Sequence, residues 1–247
     1  MTRAAELLRS LDGLDWVDED GGAELVELQP PLTDPEIDAL AARWGVPVPP
    51  DAREVLRVAR GIAVSPLDWV DFSGLIMAGA VADEIFPHAL PIAHDGYGNY
   101  WVVDLRPGSE VFGPVFFVCH DPSVIVYQCA DVAGFLEGLV QMTEPPHKGP
   151  LDFVHEQASI AIWGGEEAGV RRAVALESPD EVLRAFAEFL PPDASIADMR
   201  HPRTGDGFRV PLRREFIRHP SERLIAWHDP PRTQHPLVRW VARLFGG

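Results

Sequence analysis

Cys119, His120 and Asp121 stand side by side in the chain, and a thiol, an imidazole and a carboxylate are the parts of a nucleophile, its base and the group that orients the base. They lie in an apolar, β-branched stretch that predicts a strand, where neighbouring side chains point to opposite faces. Adjacent Cys119 and His120 therefore do not form a nucleophile–base pair, and no Cys–His active site is expected. His94, Asp95, Asn99, Asp104, His120 and Asp121 are oxygen and nitrogen ligands that suit several divalent ions. Turn formation by Asp95, Gly96, Gly98 and Asn99 accounts for the same residues more economically, so no metal site is expected. Gly96-Tyr97-Gly98 has neither the spacing nor the following helix of a dinucleotide fingerprint. No catalytic residue, cofactor or enzymatic activity is expected.

What remains is recognition. The loop Asp95–Trp101 sets Tyr97, Tyr100 and Trp101 beside glycines and the polar pair Asp95 and Asn99, and aromatic anchors of this kind are enriched at protein interfaces. Strand alternation places either Tyr100 or Trp101 in the core instead. A second candidate is the acidic run Asp15, Asp18, Glu19 and Asp20 around Trp16, which suits a basic partner and equally suits a solvated loop.

Charge sharpens this reading. The formal net charge is −17 over 247 residues, and all of it falls in residues 1–145, which hold 24 acidic and seven basic residues; residues 146–247 hold 14 of each. Such a surface repels nucleic acid and anionic membrane and attracts basic partners, although solubility alone is a sufficient use for it. Residues 199–247 carry ten Arg against four acids, a basic stretch suited to pairing with the acidic part or to meeting a separate anionic surface. Uncharged runs are far shorter than the ~20 apolar residues of a membrane-spanning helix. The opening MTRAAELLRSLDGLD lacks the unbroken apolar region of a secretory signal, so a cytoplasmic protein is expected. The two cysteines are too few for a disulfide scaffold or a Cys-rich zinc module.

The elements that position these residues follow from periodicity. Leu7, Leu8, Leu11 and Leu14 predict a short helix over residues 2–12, and Thr33-Asp34-Pro35-Glu36 forms a capping box for a helix ending at Gly45. After the corner Val46-Pro47-Val48-Pro49-Pro50, a second helix is expected from Asp51, with Gly61 as its C′ residue. Strands are expected from Pro91, at Tyr100–Leu105, at Val115–Cys119 and at Val124–Gln128, followed by a helix capped by Asp131. Pro145-Pro146-His147-Lys148-Gly149-Pro150 reads as a linker. The expected organisation is an acidic domain over 1–145, a linker at 146–150 and a small α+β unit over 151–247. In that unit the pattern predicts a strand at Ser159–Trp163, a helix with Ser178 as N-cap, strands near Ser195–Met199, Phe208–Leu212 and Leu224–Trp227, and a helix near Pro236–Phe245.

The order of these elements resembles the SUKH superfamily, which includes the Smi/Knr-type regulators of fungal cell-wall synthesis. The resemblance is carried by Leu32-Thr33 with Glu36-Ile37, the corner Gly45 to Asp51, Leu56 with Gly61, Pro91-Ile92-Ala93, Asp95-Gly96-Tyr97-Gly98-Asn99-Tyr100, Asp104-Leu105, Gly113-Pro114-Val115 and Phe135-Leu136. It spans about residues 32–140. Ala41, Arg60 and Asn99 depart from the residues usual in the family, Glu, Asn and Asp. The resemblance implies an α+β fold with a mixed, mostly antiparallel sheet flanked by helices, here with a small α+β C-terminal extension. It also implies a bacterial, non-enzymatic immunity protein that neutralises a polymorphic toxin, often a nuclease; a basic toxin domain is the expected partner. The competing expectation is a housekeeping interaction or scaffold protein with no toxin partner, distinguished by whether a toxin is encoded beside it.

Overall fold

Four strands form the centre of the computed structural model, which describes residues 1–17, 22–63, 69–75, 85–165, 169–211 and 214–229. They are β6 (Ala89–His94), β7 (Tyr100–Asp104), β8 (Val115–His120) and β9 (Ser123–Cys129). They read as nearly continuous apolar runs because both faces of the sheet are covered. Trp101, Val103, Phe117, Cys119, Val124 and Val126 enter one core, while Val102, Phe116, Val118 and Ile125 enter another.

The first core is roofed by helices. These are α1 (Arg3–Leu11), α2 (Asp34–Trp44), α3 (Pro50–Val58) and α4 (Val132–Thr143). Glu36 accepts hydrogen bonds from the Thr33 amide at 2.8 Å and hydroxyl at 2.7 Å, and Gly45 ends α2 in the left-handed region at φ 69°. At the Pro-rich corner, Asp51 accepts the Phe112 amide at 2.8 Å, which ties the start of α3 to the loop before β8. Asp131 caps α4 by accepting the Gly134 amide at 2.8 Å.

The sheet has eight strands in the order β12-β9-β8-β7-β6-β5-β4-β3, and its pairings are all antiparallel. Its outer members are β3 (Glu27–Leu28), β4 (Gly61–Ala63), β5 (Trp69–Asp71) and β12 (Gly207–Arg209). Asp15–Val17 (β1) and Ala23–Leu25 (β2) form a separate two-stranded ribbon. Gly61 is not a helix C′ residue as its spacing suggested: α3 stops at Val58, and Gly61 lies in β4, where a Cβ would stand 2.0 Å from the Val70 carbonyl oxygen. Close backbone approach explains this glycine.

The second face of the sheet is covered by a four-stranded sheet of β10 (Val170–Arg171), β11 (Ser195–Asp198), β14 (Leu224–His228) and β13 (Glu215–Arg218), in that order. Ala197, Ile225 and Trp227 from it join Phe208 and Val210 against Phe116 and Ile125. Its far face packs on α7 (Arg172–Ala175) and α8 (Glu181–Glu188). The fold is therefore α+β, with two antiparallel sheets face to face and helices outside both.

Residues 151–247 are not all in one separate unit. Leu151, Val154 and Ala158 are buried in the first core, and Gly207–Arg209 pair with β9 in the first sheet. Two local expectations are corrected as well. Ser159–Trp163 is helical: α5 (Pro150–Asp152), a π-helical stretch (Phe153–Ala158) and α6 (Ser159–Gly164) run on from one another. The N-cap of α8 is Asp180, which accepts the Leu183 amide at 3.0 Å, rather than Ser178. The helix expected near Pro236–Phe245 lies outside the described residues. Among the described residues no helix is long and apolar enough to cross a membrane.

Candidate functional site: the loop between β6 and β7

Asp95 organises the turn that joins β6 to β7. One carboxylate oxygen, Oδ1, accepts the amides of Tyr97 at 2.9 Å and Asn99 at 3.1 Å; the other, Oδ2, accepts Asn99 Nδ2 at 2.6 Å and faces His155 Nε2 at 3.0 Å. Gly96 and Gly98 have φ of 75° and 90°, backbone that glycine adopts without strain. Burial works to raise the Asp95 pKa, but the hydrogen bonds from Asn99, the Tyr97 amide and His155 outweigh it, and the carboxyl titrates below its ordinary value.

A second layer fixes the first. Asn99 Oδ1 accepts the His120 amide at 3.1 Å and lies 3.0 Å from its Nδ1. The His155 ring stacks on Trp101, with centroids 6.0 Å apart, and meets Phe117 edge-on at 5.2 Å. Trp101 Nε1 donates to Gln128 Oε1 at 3.1 Å, and Gln128 Nε2 donates to the Pro150 carbonyl at 3.1 Å. The loop is thus anchored in the core by its base, and at its tip Tyr97 is 81% exposed.

The candidate binding residues divide accordingly. Asp95 and Asn99 are buried and spend their polar groups on the turn; Trp101 is a core residue, and Tyr100 is half-buried. Tyr97 is the one of the five presented to solvent. In the acidic run, Asp15 is exposed on β1, but Trp16 is buried in the first core and does not face a partner. Asp18, Glu19 and Asp20 lie outside the described residues.

The polar groups weighed for chemistry separate as strand alternation predicts. Cys119 is buried and His120 exposed, and burial raises the Cys119 thiol pKa, which disfavours the thiolate that a nucleophile needs. Among the described residues no group of three His, Cys, Asp or Glu could hold a metal ion. Asp104 is instead buried between Arg223 Nε at 2.7 Å and Arg106 Nε at 3.4 Å. Arg60 lies 3.1 Å from the fully buried Asp71 and also donates to Gln29.

The turn, α2, the Pro corner and the capped start of α4 all fall within one matched stretch: residues 31–138 fit the model of the SMI1 / KNR4 family (SUKH-1). This segment is a SUKH-1 domain. No curated protein and no solved structure matches the chain. The SUKH segment ends before His155, so the residue that closes the Asp95 network comes from outside it. Sequence reasoning missed His155. It sits 60 residues from Asp95 on a π-helical stretch, and neither spacing nor periodicity connects the two.

Proposed function

We propose that the protein is a non-enzymatic protein-binding module of the bacterial cytoplasm, an immunity protein whose acidic SUKH-bearing part neutralises a basic toxin domain such as a nuclease. The observation that carries this reading is the exposed Tyr97, held on a loop of the SUKH segment whose base is cross-linked to the core through Asp95 and Asn99 and, from outside that segment, His155. A fixed aromatic loses little freedom on binding, and that is the quality of an interface anchor. The charge of −17 supplies the attraction that brings a basic partner in. The acidic run Asp15, Asp18, Glu19 and Asp20 is assigned to encounter; Tyr97 is assigned to the docked complex.

A toxin gene beside this one is the first outcome sought, its absence favouring a housekeeping interaction protein; with the encoded toxin, association is followed by stopped-flow at low and high salt. Raising salt should slow association far more than it changes dissociation. Reversing Asp18, Glu19 and Asp20 to Lys together should lower the association rate by roughly tenfold, and Tyr97→Ala should chiefly raise the dissociation rate. Association indifferent to both salt and the triple reversal would refute the role given to the acidity.

A further inference from the structure

Where the second sheet meets the first, a cleft of about 410 Å³ opens between the segments around Phe86, Leu105 and the β13–β14 turn. Its volume is within the ~300–1,000 Å³ usual for small-molecule sites. Phe86, Leu105 and Ile225 give it an apolar floor, and Arg106, Arg218 and Arg223 line it together with the acidic Asp104 and Glu222. Three guanidinium groups in one cleft are notable in a chain of net charge −17, because the surrounding carboxylates would be expected to pair them.

Only two of the three are so paired. Arg223 and Arg106 share the buried Asp104, and Arg106 also donates to the Ser221 carbonyl. Arg218 is half-buried and donates through Nη1 to the Ile85 carbonyl at 3.2 Å; among the described residues no carboxylate lies within ion-pair distance of it. Burial lowers its pKa, and the opposing charge of Asp104 does not outweigh it. A partly desolvated cation with no carboxylate in direct contact among the described residues is a cost, and an anionic ligand would offset it. His219, also in the lining, accepts the amides of Ser221 at 3.2 Å and Glu222 at 3.0 Å through Nδ1, which fixes the turn that carries Arg223.

We propose that this cleft binds a small organic phosphate, with the phosphoryl oxygens on Arg218 and its two neighbouring arginines and the apolar body on the Phe86–Ile225 floor. Asp104 already fills the carboxylate-sized place between Arg106 and Arg223. Among the described residues Arg218 has no acceptor with several oxygens, and the planar guanidinium fork matches phosphate geometry. The site is distinct from the Tyr97 loop and stands whether or not a toxin is bound there.

Phenyl phosphate, inorganic phosphate and benzoate, titrated at constant ionic strength into the full chain, separate the two halves of the idea. Phenyl phosphate should bind at least about tenfold more tightly than either of the others, with amide NMR shifts concentrated at residues 85–88, 104–107 and 218–225. Arg218→Gln should weaken it by about tenfold or more, and Arg218→Lys, which keeps the charge and loses the fork, by less. The shift map is read on the unsubstituted protein, so it holds even where a variant folds poorly. Equal binding of benzoate, shifts elsewhere on the surface, or no saturation by about 10 mM phenyl phosphate would overturn the proposal.

Discussion

Replacing Asp95 by Asn and by Ala separates the two jobs of its carboxylate. Asn keeps an oxygen for the Tyr97 and Asn99 amides but turns an NH2 toward Asn99 Nδ2 and His155 Nε2, which now stand 2.6 and 3.0 Å from Oδ2. Asn99 cannot answer by turning its amide over, because its Oδ1 holds the His120 backbone. Two bonds to a charged acceptor are lost, each worth about 1.5–3 kcal/mol at most, with His155 able to recover one by exchanging its ring proton. Asp95→Asn should therefore cost about 1–3 kcal/mol. Asp95→Ala also strands the two amides and should cost about 3–5 kcal/mol. The pH dependence carries the sign: the folded-state pKa is depressed, so the stabilisation is complete above the unfolded value of about 3.9 and is lost as pH falls through the folded value. Urea midpoints at pH 7 and at pH 3 read both quantities, and the gap between wild type and Asp95→Asn should shrink in acid. A variant within about 0.5 kcal/mol of wild type at pH 7, or a gap that stays constant across that range, would refute the network as the loop's anchor.

Gly61→Ala would push a methyl group to 2.0 Å from the Val70 carbonyl oxygen. The β4–β5 pairing must then part, and a urea midpoint should report a loss of about 2–3 kcal/mol. Asp131→Ala leaves the Gly134 amide without its acceptor at the start of α4 and should cost about 1 kcal/mol in the same assay. Burial, reinforced by the nearby Asp131 charge, pushes the Cys129 thiol up to about 12, so native protein at pH 8 should react with a thiol reagent at this position far more slowly than unfolded protein does, as followed by peptide mass after quenching.

Local signals carried the first part of the chain well, and their failures are physical. The box at Thr33 and Glu36, the cap at Asp131 and the strands Val115–His120 and Ser123–Cys129 depend on neighbours within a few residues. Trp101 follows the alternation that put either it or Tyr100 inside. Trp16 misled because its acidic neighbours suggested a surface, whereas a single aromatic in a short strand is held by the helices above it. Ser159–Trp163, apolar and β-branched, reads as a strand in isolation; it is a helix because it continues the turn begun at Pro150, beside β9 and β12. Contacts that span long separations, such as Asp95 with His155 and Asp104 with Arg223, leave no periodic trace. The net balance of the last hundred residues hid the second pair altogether.

The late strand Gly207–Arg209 and the sheet that covers Phe116 and Ile125 also set a timetable for the nascent chain. A ribosome delivers the roughly hundred residues between Cys129 and His228 in about 5–20 s. For most of that interval the edge of β9 waits for β12, and the apolar face of the central sheet lacks its complete cover until β14 has been made. Unpaired edges and bare faces are the features by which unfinished chains associate. Protection is therefore completed late, by β14, the strand that sits between β11 and β13 in the covering sheet, and a chain that stops before it leaves Phe116 and Ile125 without Ile225 and Trp227.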